Sequence, residues 1–289
     1  MSTPAPEVSA RIARLFVYPV KSCAGVELRE ALLTDTGFDL DRAWMVVDAA
    51  GEFVTQRELP RMALIRPTLK LSEVILRAPG MLALHLAIDT VEEPVQVKVW
   101  NDTVPAFDMG AIAAQWFSDF LGRPGLRLVR FDPEHDRASN RDWTGADTAL
   151  NQFQDGYPLL VISTASLELL NEKLRAAGHE AVGIERFRPN IVLEGVEAHD
   201  EDRMAQMDIA TGEGLVRLRP VKPCPRCPIP DIDPATAQSN PVVSDTLQGY
   251  RRSDVVGGAV AFGMNVIVME GLERTLRVGQ AVTGDWKFD

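Results

Sequence analysis

The sequence predicts an α+β fold that is predominantly β, built as barrel- or sandwich-like units with helices packed outside. Three observations point there. Short segments that alternate apolar and polar residues, or form brief β-branched runs, recur along the chain. Only two segments carry the three- and four-residue apolar spacing of an amphipathic helix. Strands and helices also lack the regular alternation of a doubly wound parallel sheet.

In chain order, residues 11–20 read as a strand stopped by Pro19. Residues 44–48 form a β-prone run, followed by a turn at Ala50 and Gly51 and a hairpin partner over 53–55. Residues 82–88 and 95–100 alternate at period two, so each has one face to bury. The first helix spans 110–121, with Trp116, Phe117, Phe120 and Leu121 on one side and Asp108 near its start as a cap. A polar stretch over 132–147 reads as a boundary or loop. The second helix spans 163–177, carries Leu167, Leu170 and Leu174 on one face, and stops at Gly178. Strands return over 190–194, 215–219, 265–269 and 280–283.

The chain has 289 residues, enough for one large domain or two of ordinary size. A net charge of −11 argues against a nucleic-acid partner, which needs a dense basic surface. No apolar run approaches the ~20 residues of a membrane span. The first nine residues lack the features of a secretory signal and read as a disordered tail. Three cysteines exclude a disulfide scaffold and fit a reducing, cytoplasmic setting. There is no Gly-x-Gly-x-x-Gly or Walker-type loop.

Two of those cysteines stand three residues apart in Lys222-Pro-Cys-Pro-Arg-Cys-Pro-Ile-Pro-Asp231. The prolines are expected to keep both Cys224 and Cys227 out of a helix or a central strand. Four readings compete. The thiols are packed and inert, or they belong to a zinc site, although no second Cys-x-x-Cys accompanies them. They form a redox dithiol, although Pro228 and Pro230 forbid the helix that usually follows one. Or one thiolate holds a soft metal centre, with Arg226 favouring its charged form. The residues alone leave these open.

Tyr18 and Trp44 read as core aromatics, and Cys23 as a packed thiol. Asp231 and Asp233 read as turn residues, and no histidine is given a ligand role.

Other blocks surround the cysteine loop in a fixed order. They are Tyr18-Pro-Val-Lys-Ser-Cys-Ala-Gly25, Asp41-Arg-Ala-Trp44, Thr55-Gln-Arg57, Asp155-Gly-Tyr-Pro158, Ser163-Thr-Ala-Ser-Leu167 and Arg186-Phe-Arg-Pro-Asn190 before the loop. Thr246-Leu-Gln-Gly-Tyr-Arg251 and Phe262-Gly-Met-Asn265 follow it. In these blocks the chain resembles the MOSC-domain family. The resemblance is to the two-part branch that includes the mitochondrial amidoxime-reducing component, and it runs from about Val8 to Trp286.

The resemblance implies a MOSC β-barrel with peripheral helices over 135–286, packed against an N-terminal mixed β/α region over 8–125. The opening strand is expected to be able to join the barrel. It also implies a molybdenum cofactor (molybdopterin), with Cys227 as metal ligand and catalytic residue. Lys21, Ser22 and Arg42 match cofactor contacts, Asp155, Gly156 and Tyr157 a loop lining it, and Arg188 and Asn190 a pair near pterin and metal. Arg226 is expected to steady the thiolate. Fixed cations suit the phosphate and dithiolene of such a group. Pro225, Gly156 and Tyr157 depart from the eukaryotic pattern.

The activity implied is reduction of N-hydroxylated or N-oxide compounds. Electrons would come from a separate ferredoxin-, flavodoxin- or cytochrome-type protein, because the cysteine spacing of a plant-type ferredoxin domain is missing. A cofactor carrier or sulfur-transfer module is the alternative.

Overall fold

A computed structural model describes residues 8–90 and 93–287. Residues 1–7 of the expected N-terminal tail lie outside them. A closed barrel of seven strands organises the molecule. Around it run Leu159–Ser163, Ile191–Glu194, Val8–Val17, Ala281–Gly284, Met207–Thr211, Gly214–Pro225 and Ala259–Glu270, the last pairing back to the first. The opening strand therefore stands between two strands from the second half of the chain.

Alternation along these strands separates two apolar layers. Leu159 and Val161 point into the barrel with Val8, Ile12, Leu193, Val216 and Val266. Leu160 and Ile162 point outward onto the helices Thr164–Ala176 and Val242–Gln248. The opening strand follows the same rule with one interruption. Val8, Ala10 and Ile12 face inward, the register shifts between Ile12 and Arg14, and Leu15 and Val17 then face inward instead. A bulge inserts one residue and so exchanges the two faces. It turns Phe16 and Tyr18 to the outside of the barrel, where the site lies.

Gly263 is required where Ala259–Glu270 meets Leu159–Ser163. Its φ is +81°, and a Cβ there would stand 2.5 Å from Ile162 Cγ1.

The N-terminal half is richer in strand than a mixed β/α region. Trp44–Val47, Arg127–Phe131, Asp102–Asp108 and Pro94–Val99 form one sheet, and Arg66–Leu69, Glu73–Arg77 and Leu84–Ala87 another. The helix Gly110–Leu121 covers their shared core with Trp116, Phe117, Phe120 and Leu121, the four residues its periodicity selects. Asp108 Oδ1 accepts from Gly110 N at 2.7 Å at its start. Ser163 caps Thr164–Ala176 by accepting from Ser166 N at 3.1 Å.

Two expectations are corrected. Residues 53–55 make only a single bridge, Val47 to Phe53, and the true partner of Trp44–Val47 is Arg127–Phe131. Residues 132–147 contain a two-residue strand, Arg137–Ala138, and a short helix, Arg141–Thr144. Cys224 lies in a strand, Gly214–Pro225, but in its edge part, so its prolines do keep it out of a central strand. The reason is that the ladder with Ala259–Glu270 is broken by irregularities at Pro220/Lys222 and Pro223/Pro225. Pairing with Met207–Thr211 ends at Leu218, so the proline-rich part is an edge whose missing donors go unused.

Candidate functional site

The site begins where the opening strand ends. Lys21 N donates to Trp44 O and Arg42 N to Tyr18 O, both at 2.8 Å, which zips residues 18–22 to residues 42–44. The buried Asp41 adds Oδ1 as acceptor for Tyr18 N at 2.8 Å. Ser22, Arg42 and Arg188 all adopt left-handed φ, at 67°, 53° and 58°. Side-chain-bearing residues rarely do so, and such strain gathers at functional sites.

A cleft opens here between the barrel and the N-terminal half. Its walls bring together Lys21, Ser22, Arg42, Asp155, Gly156, Tyr157, Arg188, Asn190, Arg226 and Cys227, from segments up to 206 residues apart (227 − 21). Thr55, Arg57, Gln154 and Cys224 line it as well.

The cleft is cationic within an acidic protein. Lys21, Arg42, Arg57, Arg188 and Arg226 line it, against Asp155 as the one carboxylate among the described residues. Lys21 is buried; its ammonium donates to Phe153 O at 2.7 Å and pairs with Asp155. Burial pulls the Lys21 pKa down, and Asp155 opposes the fall. Desolvation by the cleft walls pushes the Asp155 carboxyl up. Lys21, the indole N–H of Trp100 and Arg42 outweigh it and hold the group below the ordinary carboxylate range.

Arg42 and Arg188 enclose Tyr18, each guanidinium carbon 4.3 Å from the ring centroid. Arg42 donates to Asn190 Oδ1 at 3.2 Å and to Arg188 O at 3.1 Å. Asn190 is otherwise occupied: Oδ1 also accepts from Leu160 N at 3.1 Å, and Nδ2 donates to Phe16 O at 3.2 Å. Its amide thus fixes Arg42. Arg188 donates through Nη1 to Cys23 O at 2.5 Å, while the buried Nη2 has no partner among the described residues. Burial and the neighbouring Arg42 bring the Arg188 pKa down to about 10.

In the cysteine loop, Arg226 N donates to Val260 O at 2.8 Å and so anchors the loop to Ala259–Glu270. The expected support of Cys227 by Arg226 is corrected. Its Nη1 donates to Cys224 Sγ at 3.0 Å and Nη2 to Phe187 O at 2.6 Å, leaving the buried Nε unpartnered. The irregular strand end carries Cys224 back under the guanidinium, and Cys227 lies beyond it. Cys23 is fully buried, and burial pushes its thiol up to about 12.

Among the described residues no three His, Cys, Asp or Glu side chains gather to hold a metal, so the zinc reading has no ligand set. Asp233 accepts from Ala235 N and Thr236 N as a turn residue. Asp231 is instead a buried clip that accepts from Ser244 N and Oγ. Tyr18 and Trp44 are buried, as their apolar strands suggest.

Arg57 and Trp100 escaped the sequence reading. Arg57 sat in a recognised block without a role, whereas nothing marked Trp100. Its ring lies under the Arg57 guanidinium at 4.7 Å, and its N–H reaches Asp155 Oδ1 at 3.1 Å.

Residues 9–124 match the MOSC N-terminal beta barrel domain, and residues 149–283 match the MOSC domain. The chain belongs to the MOSC-domain family. This MOSC-domain protein is 32% identical to mitochondrial amidoxime reducing component 2 of Rattus norvegicus, covering 84% of this chain and 73% of that protein. It is 34% identical to human mitochondrial amidoxime-reducing component 1, covering 94% and 82%. It is also 31% identical to molybdenum cofactor sulfurase of Bos taurus over 86% of this chain, but covers only 29% of that protein. No helix among the described residues of the MOSC-domain protein is long and apolar enough to cross a membrane.

Proposed function

We propose that this chain is a molybdenum-cofactor-dependent oxidoreductase that reduces N-hydroxylated or N-oxide compounds, with Cys227 as the protein ligand to molybdenum. One observation carries the reading: the Cys227 thiol opens on the same cleft as five cations. The residues present fit the group. Buried, unpartnered donors on Arg188 and Arg226 call for an acceptor, which an anionic cofactor provides. Relatives named for amidoxime reduction and for the molybdenum cofactor point the same way.

When bound, the cofactor supplies a metal centre able to exchange two electrons. Lys21, Ser22, Arg42 and Arg188 would hold its charged groups, and the loop of Asp155, Gly156 and Tyr157 would border it. Asn190 would act through Arg42, keeping that guanidinium in place. Arg226 would brace the loop from Cys224 and Phe187, fixing where Cys227 stands. The net reaction takes two electrons and two protons: the N–O bond breaks and oxygen leaves as water, both protons joining the oxygen of an N-oxide, whereas for an N-hydroxy compound one completes the water and the other takes the place of the lost oxygen on nitrogen. The electrons would come from a separate ferredoxin-, flavodoxin- or cytochrome-type protein.

The test is a Cys227→Ala protein from a cofactor-competent host, assayed for molybdenum content and for benzamidoxime reduction with a chemical electron donor. Loss of both is expected; retention of both refutes the assignment. The similarity to a cofactor sulfurase favours a second reading, a carrier or sulfur-transfer module. Wild-type protein that binds molybdenum but reduces no N-oxygenated compound would select it.

A further inference from the structure

A second cavity, of about 560 Å³, lies beside the cationic cleft. The two share only Arg188 and Ile229 in their walls, and Ile229 stands two residues from Cys227. The second cavity also sits between the two halves of the chain. Residues 24–27 and 66–68 line one side, and residues 185–188 and 232–235 the other. Junctions of this kind are where small-molecule sites concentrate.

Its chemistry differs from that of the cleft. Half its wall is apolar, from Ala24 and Val26 to Ile232 and Pro234. Its charges are largely satisfied within the protein. Glu27 is paired with Arg14 at 2.8 Å, and Arg186 with Asp233 at 3.0 Å. Arg66 and Glu185 offset each other, which leaves Arg188, at the junction with the cleft, as the one uncompensated charge in the wall; away from that junction the cavity favours neither anion nor cation. The cleft is thus built for an anion and the chamber for an uncharged organic body.

Building on the proposed function, we infer that this chamber holds the apolar body of the N-oxygenated substrate, with the N–O group directed past Ile229 and Arg188 toward Cys227. The substrate class is therefore uncharged aryl or alkyl N-hydroxylated compounds, and the chamber rather than the cleft sets the preference for large over small ones. A chamber of this volume takes a ring-bearing substrate, within the ~300–1000 Å³ typical of such sites.

The test substitutes exposed Ala235 in its wall, Ala235→Trp, with Thr68→Phe on the opposite side as a second variant. In the molybdenum-loaded enzyme, the ratio of kcat/KM for benzamidoxime to that for N-hydroxyurea is expected to fall roughly tenfold, mainly through KM for benzamidoxime. An unchanged ratio in both folded variants overturns the inference. Independently, saturation-transfer NMR on cofactor-free protein should show benzamidoxime bound to wild type, undisplaced by inorganic phosphate and weakened in Ala235→Trp. Displacement by phosphate would place it in the cleft and refute the chamber. If benzamidoxime binds the chamber but loaded enzyme does not reduce it, the proposed function fails while the chamber stands. Reduction with a ratio insensitive to both variants is the reverse.

Discussion

Lys21 and Asp155 pair across the cleft floor, a buried ammonium against a carboxylate whose side chain is 64% exposed. The asymmetry makes the lysine the dependent partner: without Asp155, its charge has only the Phe153 carbonyl. Asp155→Asn is expected to cost about 1–2 kcal/mol, less than a fully buried pair because one partner meets water. Added inorganic phosphate should restore the loss, since the variant removes the one carboxylate competing for the cleft cations. Urea melts with and without phosphate check this; equal losses in both conditions would refute it.

The same pair predicts an acid limb. The Asp155 pKa is lowered in the folded state, so its stabilisation is complete above the ordinary carboxylate value of ~3.9 and is lost as pH falls toward the folded value. The wild-type advantage over Asp155→Asn should shrink below about pH 4. Melting temperatures from pH 3 to 7 measure it.

Glu201 titrates in the opposite sense. Its buried carboxyl accepts from Ser163 N and Ser166 Oγ through Oε1, while Oε2 has no partner. Burial raises its pKa, so its favourable contribution is present at low pH and lost as pH rises through the folded value. Glu201→Gln keeps the acceptor and cannot ionise. It should match wild type near pH 4 and exceed it near pH 8, with ~2–4 °C of melting temperature per kcal/mol in a domain of this size. A constant difference across pH would count against this.

Arg226 addresses Cys224 rather than Cys227. Arg226→Met should therefore slow iodoacetamide labelling of Cys224 roughly 3- to 10-fold by removing its charged donor, and change Cys227 much less. Cys23, buried and pushed up to about 12, should stay unlabelled in native protein. Peptide mass spectrometry on cofactor-free protein separates the three thiols.

Tyr18 offers a contrast between ring and hydroxyl. The ring is held between two guanidinium groups, but the buried Oη has no partner among the described residues. Tyr18→Phe should be neutral or stabilising by about 1 kcal/mol, because an unsatisfied hydroxyl leaves the core. Tyr18→Leu should destabilise by several kcal/mol, losing ring volume and cation–π contacts together. Denaturant midpoints decide between these outcomes.

Much of the candidate site was legible because its residues sit in short ordered blocks that fold as loops at strand ends. The family resemblance selects Lys21, Arg42, Arg188 and Cys227 from those blocks, and the structure brings all four to one cleft. The helix Gly110–Leu121 was equally readable, since four large apolar residues on one face leave little choice. What escaped reading depends on register. The parity change between Ile12 and Arg14 is invisible in an unbroken apolar run, yet it decides that Tyr18 leaves the barrel interior for the layer beneath Arg42 and Arg188. Cys224 entered a strand because its prolines fall on an unpaired edge, a fact of the neighbouring strand rather than of the loop. Trp100 reaches Asp155 only because a hairpin tip overhangs the cleft, and no local pattern announces that.

The position of Val8–Val17 between Ile191–Glu194 and Ala281–Gly284 also governs how the molecule is made. Val8–Val17 is synthesised long before its partner Ala281–Gly284, and the ring cannot close until both are present, so the order of synthesis and the order of assembly run against each other. Contacts of such long sequence separation slow folding. Until closure, only Leu15–Val17 has a local partner, in Val26–Leu28; the rest of the opening strand exposes its hydrogen-bonding edges, and the unfinished chain is open to pairing with its neighbours.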